Sequence, residues 1–289
     1  MTLHLKEAEL NEIRTLIEQR SGILFDASRQ RFFSTRVREY VQERGLADGA
    51  ALLRLVRSSN VEYDEMLQSM LTQETSFYRY PAVIDALVKK VLPEVHARKF
   101  WENPRTLRIW SAGCSTGEEP YSIAIALAEN LEFVDAWNIE ILATDISQQA
   151  LRFAERGVYP QSRLGNLTPG QMEAYFARGR DGFSVKPRIR KMVSFETMNL
   201  AQAVYVGRLD CIFCMNVLMY FSEERRNSLI QRFYEYLEPG GYLLLGHAES
   251  VSKKAGVKFE SIRLGDCILN RKPAVEVRSR EATVLEGSL

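Results

Sequence analysis

The feature that most constrains this chain is a change of periodicity near residue 105. Before it, apolar residues recur at helical spacing. After it come short apolar runs, TLRIWSA, NIEILATD, VSFETMN, LDCIFCMN and GYLLLGH, separated by helical stretches at 119–130, 147–156 and 222–237. Strands alternating with helices require a mostly parallel sheet covered on both faces, an α/β doubly wound architecture. A last pair, VKFESIRL and CILNRK, reads as an antiparallel hairpin added at one edge. Residues 158–192 break the alternation with a polar, arginine-rich stretch, read as a small antiparallel β insertion. The tail, 273–289, carries no core pattern and is expected to be mobile.

The first 72 residues form a separate helical domain in this reading. Leu10, Ile13, Leu16 and Ile17 share one face of a helix that stops at Gly22. Asp26 or Ser28 can cap a second helix that closes at Gly45, and DGAALLRLVRSS and VEYDEMLQSMLT follow. Residues 73–80 are a linker, and Pro81 opens the first helix of the sheet-bearing domain, 81–272. With 289 residues there is room for both domains.

Charge and cysteine usage narrow the class. A formal net charge of +1 argues against a nucleic-acid coat. No apolar run reaches the length of a membrane span, and the N-terminus lacks a signal-peptide order, so a cytoplasmic, non-integral protein is expected. Cys211 and Cys214 form C-x-x-C within a strand, where residues three apart face opposite ways, so they read as buried apolar thiols and no metal site is expected.

The segment 107-LRIWSAGCSTGEEPYSIAIALAE-129 runs from strand through a loop of small residues into a helix. It does not fit a phosphate cradle: it lacks G-x-G-x-x-G and G-K-[ST], and Glu118 and Glu119 stand where an anion would sit. Gly113 to Gly117 does satisfy G-x-S-x-G, with Asp210 and His247 in the right chain order for a hydrolase triad. Such elbows, however, follow several earlier strands, and this strand is the first. The third reading is a ligand with a charged centre and a ribose but no phosphate. An acid ending the second strand takes ribose hydroxyls in such folds, and Asp145 holds that place. S-adenosylmethionine fits.

The sequence also resembles the chemotaxis receptor glutamate methyltransferases. The resemblance runs from about residue 10 to 272 and rests on 75-TSFYR-79, 110-WSAGCSTGEEPYS-122, 144-TDIS-147, 198-MNL-200, 216-NVLMYF-221 and 240-GGYLLLGHAES-250. It implies an N-terminal helical domain, a linker, and a methyltransferase domain with a β insertion. It further implies S-adenosylmethionine as cofactor, S-adenosylhomocysteine as product, and methyl-ester formation on receptor glutamates. Thr75, Arg79, Glu119, Asp145, Asn199, Leu200 and Asn216 are then expected to line the cofactor pocket, with Gly113 against the adenosine. Two positions depart from the family pattern. Gln73 replaces a frequent Asn, and Met215 replaces an Arg, so Met215 can offer only backbone or apolar contact.

A glutamate reaches cytosolic pH ionised, its ordinary pKa being about 4.3, so no general base is needed. From the motif matches and this chemistry, Arg79 and Tyr220 are assigned to orient the substrate carboxylate. Taken alone, Arg79 reads equally as a linker arginine in a surface ion pair, and Tyr220 as a packing aromatic. His247 reads as a structural hydrogen-bonding residue and Glu118 as a helix-dipole partner. Residues 29–44 hold five arginines against two glutamates. A solvated helix face explains this, as does a receptor-facing surface through Arg29, Arg31, Arg36 and Arg38. In the resembling family the β insertion can dock a receptor tail peptide. Here its turn, around Asp181-Gly182, is short, and direct recognition of receptor helices by a monomer is expected. A cofactor-sensing adaptor that transfers nothing is the non-enzymatic alternative.

Overall fold

The computed structural model describes residues 5–71, 74–202 and 205–274. Gln73 and the tail beyond residue 274 lie outside the described residues.

Four helices build the N-terminal unit: α1 (Glu7–Ser21), α2 (Gln30–Glu43), α3 (Gly49–Ser58) and α4 (Asn60–Met70). Gly22, in the left-handed conformation, ends α1. Asp26 caps a short 3-10 turn that runs into α2, and Asp48 and Ser59 cap α3 and α4 through their side chains. Ile13, Ile17, Val37, Val41, Leu52, Val56 and Met66 are wholly buried in one core, and Leu10 and Leu16 flank it half-buried. Burying each such side chain stabilises the fold by about 1.5–3 kcal/mol.

The second unit opens with α5 (Pro81–Ala86) and α6 (Leu92–Lys99). A π turn joins them at Leu87–Val91, ending two residues before Pro93, whose missing N–H interrupts the helical ladder. In chain order there follow β1 (Arg105–Ala112), α7 (Glu118–Asn130), β2 (Trp137–Asp145), α8 (Gln148–Arg156), β3 (Val158–Tyr159), α9 (Pro169–Tyr175), β4 (Phe176–Arg178) and β5 (Phe183–Val185). Then come α10 (Pro187–Arg190), β6 (Val193–Thr197), β7 (Leu209–Cys214), α11 (Glu223–Tyr236), β8 (Leu237–Leu245), β9 (Glu260–Leu264) and β10 (Cys267–Arg271).

Seven strands form one sheet in the order β6-β2-β1-β7-β8-β10-β9. β6, β2, β1, β7 and β8 run parallel, and β10 is antiparallel to both β8 and β9. The chain leaves β1 toward β2 and β6 and returns to its other side at β7, so the topological switch lies between β1 and β7. Cys211 packs with the core on one face of this sheet and Cys214 with the core on the other, as a strand spacing of three demands. β3, β5 and β4 form the separate antiparallel insertion, with β5 in the middle. Among the described residues no helix is long and apolar enough to cross a membrane.

Two ion clusters around buried carboxylates lie near opposite ends of the central strands, one after β1 and one at the amino end of β7. Glu118 stands in the first turn of α7, as a helix-dipole partner does, and is wholly buried. Arg163 from the insertion donates to its carboxylate at 2.6 Å and to the Thr116 hydroxyl at 2.8 Å, while the Tyr159 hydroxyl donates to Thr116 O at 2.7 Å. At the amino end of β7, Asp210 accepts from Arg98 at 2.6 Å, Lys99 at 2.7 Å and the Arg108 N–H at 3.0 Å. Removing the carboxylate strands the buried Lys99 ammonium. Asp210→Ala is therefore expected to cost about 3 kcal/mol in chemical denaturation. Ligand affinity at the opposite end of the strands should stay unchanged by calorimetry.

Candidate active site

The loop after β1 is drawn tightly against the end of β2. Gly113 and Cys114 N–H donate to Thr144 O at 2.8 and 2.9 Å, Ser115 N–H donates to Asp145 Oδ2 at 2.8 Å, and Gly117 N–H to Cys114 O at 3.0 Å. These amides are engaged inside the protein and do not form a phosphate cradle. Gly113 has φ of 86°, and a Cβ there would lie 2.4 Å from a methyl of Val217, in the loop after β7. Only glycine fits.

Between these loops and the helical unit lies a cavity of about 400 Å³, within the range of small-ligand sites. It gathers Thr75, Arg79, Gly113, Glu119, Asp145, Asn199, Leu200, Met215, Asn216 and Tyr220. The candidate cofactor and acceptor-orienting residues within the described part of the chain thus line one cavity. Ser21, Ile23 and Arg29 reach it from the N-terminal unit, and Tyr78, Tyr80 and Ser122 also line it. Sequence reasoning missed these, apart from Arg29, which it assigned only to a partner surface. Tyr80 was signalled by its place beside Arg79 in the aromatic linker. Ser21 and Ile23 flank a helix stop and carried no periodic signal.

Two carboxylates set the electrostatics. Asp145 Oδ1 accepts the Ser147 N–H and Oδ2 the Ser115 N–H, both at 2.8 Å. Burial holds its carboxyl above the ordinary value, against the opposing pull of the Ser147, Ser115 and Ile146 amides. Glu119 opens only onto the cavity, and this enclosure pushes its pKa up to about 7. The Ser111 hydroxyl, donating at 2.7 Å, and the Arg79 charge act to lower it, and Glu249 to raise it.

Other residues are held by contacts far along the chain. Asn216, at φ of 60°, accepts the Tyr80 hydroxyl at 2.6 Å through Oδ1. Asn199 donates to Arg20 O and accepts the Ala201 N–H, each at 2.9 Å, so both ends of its side chain are engaged. Arg79 donates to Glu74 O, stands 3.9 Å from the Glu74 carboxylate, and lies over the Tyr80 ring. The Arg29 guanidinium sits 4.4 Å from the centre of the Tyr220 ring, and Tyr220 O accepts the Leu24 N–H at 2.8 Å.

The hydrolase triad does not assemble. Ser115 Oγ is buried with no hydrogen-bond partner among the described residues, Asp210 serves the ion cluster at the far end of β7, and His247 is exposed. Among the described residues no cluster of three or more His, Cys, Asp or Glu side chains could hold a metal ion.

The cavity suits S-adenosylmethionine. Asp145 has the hydrogen-bonding capacity for a ribose diol, Leu200 and Met215 give apolar walls, and Glu119 offers negative charge to a sulfonium or ammonium. The folded Glu119 carboxyl keeps its proton to higher pH than its ordinary 4.5, so its contribution to stability is full at low pH and is lost as pH rises through about 7. A cation binds the ionised form. Affinity for S-adenosylmethionine is therefore expected to rise up to about tenfold per pH unit below pH 7 and then level off. Calorimetric titration across this range checks it, and Glu119→Gln should bind weakly with no such dependence.

The family described as "CheR methyltransferase, SAM binding domain" matches residues 73–265, and that described as "CheR methyltransferase, all-alpha domain" matches 8–71. The chain is 31% identical to a chemotaxis protein methyltransferase of Borreliella burgdorferi, over 90% of this chain and 94% of the relative. It is 34% identical to chemotaxis protein methyltransferase 1 of Pseudomonas aeruginosa, over 85% and 91%. It is 35% identical to the chemotaxis protein methyltransferase of Escherichia coli, over 86% and 87%. Matches spanning both units at this level settle the family: the chain belongs to the CheR methyltransferases and is an S-adenosylmethionine-dependent methyltransferase.

Proposed function

We propose that this enzyme methylates glutamate side chains on the helical domain of chemotaxis receptors, forming methyl esters. The observation that carries the reading is the cavity's inventory. Its two carboxylates, Glu119 and Asp145, are suited to a cation and to a diol, and among the described residues no histidine or lysine lines it. A carboxylate acceptor arrives already ionised and needs no base, whereas an alcohol or amine acceptor would need one.

When bound, S-adenosylmethionine supplies a methyl group on a sulfonium and leaves as S-adenosylhomocysteine. The protein's contribution is placement and exclusion of water. In this reading Glu119 holds the charged end, Asp145 the diol, and Asn216 and the backbone of Asn199 and Leu200 the base. Thr75 and Gly113 close the pocket. Arg79 and Tyr220 hold one oxygen of the incoming carboxylate and leave the other free to attack. Arg79 is suited to this because its contact with Glu74 is long and that carboxylate is largely exposed, so a substrate carboxylate can replace it.

The face of α2 supports the receptor assignment. Arg31, Arg36 and Arg38 are exposed, and among the described residues Arg31 and Arg38 form no ion pair, while Arg36 meets Glu39 at 3.0 Å. Arg29, just before the helix, lines the cavity itself, so the basic face continues into the site. A positive surface of this kind speeds encounter with acidic helices. The insertion supports direct recognition. Its loop, residues 179–182, is closed by Gly179 N–H to Gly182 O at 2.8 Å, and its outer strands β3 and β4 are two and three residues long. Such edges offer little ladder to an added peptide strand.

Transfer of radiolabelled methyl groups to receptor membranes, released by mild base as esters, tests the activity. Its absence despite normal cofactor binding would favour a non-catalytic adaptor. Arg79→Ala and Tyr220→Phe are expected to lower kcat at least tenfold, and unchanged kinetics in both would remove their assignment. Reversing Arg36 and Arg38 to Glu should slow receptor methylation and flatten its salt dependence, with cofactor affinity intact. Calorimetry against receptor C-terminal peptides should show no micromolar binding, and tail deletion should leave methylation in place.

A further inference from the structure

The segment 246-GHAES-250 contributes no side chain to the cavity, yet it carries one carboxylate with an unusual set of partners. Glu249 Oε2 accepts the Asn216 N–H and the Gly246 N–H, each at 2.9 Å, and Oε1 accepts the Met219 N–H at 3.3 Å. These three donors come from the ends of two parallel strands and from the 3-10 turn after β7. The β7–β8 ladder is in register as far as Cys214 and Leu245. Beyond that pair the strands part to form one side of the crevice, and the carboxylate takes the place of the next rung. Gly246 accommodates it: a Cβ there would lie 2.7 Å from Glu249 Oε2 and 2.9 Å from Asn216 N.

Two of the donors position residues of the site. Asn216 is held at φ of 60°, a conformation costly for a residue with a side chain unless its surroundings enforce it. Its backbone is fixed by Glu249 from one side and its side chain by the Tyr80 hydroxyl from the other. Met219 lies in the single turn Leu218–Tyr220, so anchoring its amide sets where Tyr220 stands.

We propose that Glu249 is a positioning residue for methyl transfer, a carboxylate clamp that fixes the Asn216 backbone and the Tyr220 turn. The inference rests on the reading of Asn216 as a cofactor contact and Tyr220 as a substrate contact. A neutral amide cannot replace it. Glutamine has one acceptor oxygen where the carboxylate has two, and its NH2 would face a backbone donor.

The test is a double-mutant cycle between Glu249→Gln and Asn216→Ala, read by calorimetry with S-adenosylhomocysteine, with thermal melting of the ligand-free proteins alongside. Each single change is expected to weaken binding at least tenfold. The double variant should lose little more than either one, because both act on the same contact. Glu249→Gln should also lower kcat through Tyr220 by a factor that Tyr220→Phe largely abolishes. Wild-type binding by Glu249→Gln, with weakened binding by Asn216→Ala, overturns the clamp and leaves the site reading intact. Wild-type binding by both overturns both. Losses that multiply in the double variant show that Glu249 acts elsewhere and overturn the proposal, as does a loss of binding that merely tracks a lowered melting temperature. Should Glu249→Gln fail to fold, Glu249→Asp, which keeps the charge but shortens the reach, carries the same cycle.

Discussion

The loops that follow β1 and β7 approach so closely that Gly113 can bear no side chain, and much of the site depends on that approach. With Gly113 against Val217, the β1 loop turns sharply and offers its amides to the end of β2. Ser115 adopts φ of 50° and donates to Asp145, so the acid at the tip of β2 is oriented by the same loop that starts α7. α7 then begins with two acids whose fates diverge. Glu118 points into the insertion and meets Arg163, while Glu119 opens onto the cavity. One turn of chain thereby fixes both cavity carboxylates, Asp145 and Glu119, and the anchor of the β insertion.

The charge logic explains why this loop does not suit a phosphate, which glycine-rich loops of similar outline take. A phosphate loop needs free N–H groups and the unopposed positive end of a helix. Here the amides of residues 113–115 are satisfied internally, and two carboxylates occupy the first turn of α7. An unpaired carboxylate enclosed by protein is unfavourable, and Glu119 relieves this in the ligand-free state by holding its proton more tightly. The Arg79 guanidinium counteracts part of that effect from the linker and Glu249 reinforces it from behind β7. In the proposed reading the acid is thereby poised for a positively charged ligand.

The parts legible in the sequence were those that periodicity or chain order determines. Alternating apolar runs gave the parallel sheet, opposite-facing Cys211 and Cys214 followed from a period of two, and Asp145 could be located because β2 must end at the crevice. What stayed hidden depends on partners distant in the chain. Nothing local says that Tyr80 donates to Asn216, 136 residues away, or that Asn199 reaches Arg20 O, 179 residues back. Glu118 reads locally as an acid at a helix start, and the Arg163 partner that also holds it lies in the insertion. Asp210 matched a triad by order alone. Its position at the amino end of β7 puts it on the wrong side of the sheet, where two cations hold it.

The N-terminal helices complete the site and do more than present a docking surface. Leu24 N–H donates to Tyr220 O, Asn199 holds the last turn of α1, and the Tyr220 ring packs with the helical core beneath the Arg29 guanidinium. A displacement of this unit would therefore move Tyr220 and open the wall formed by Ser21, Ile23 and Arg29. The basic face of α2 and the residues proposed to orient the acceptor carboxylate are parts of one packed body. Residues of the helical unit and of the sheet domain thus line one cavity at the seam between them.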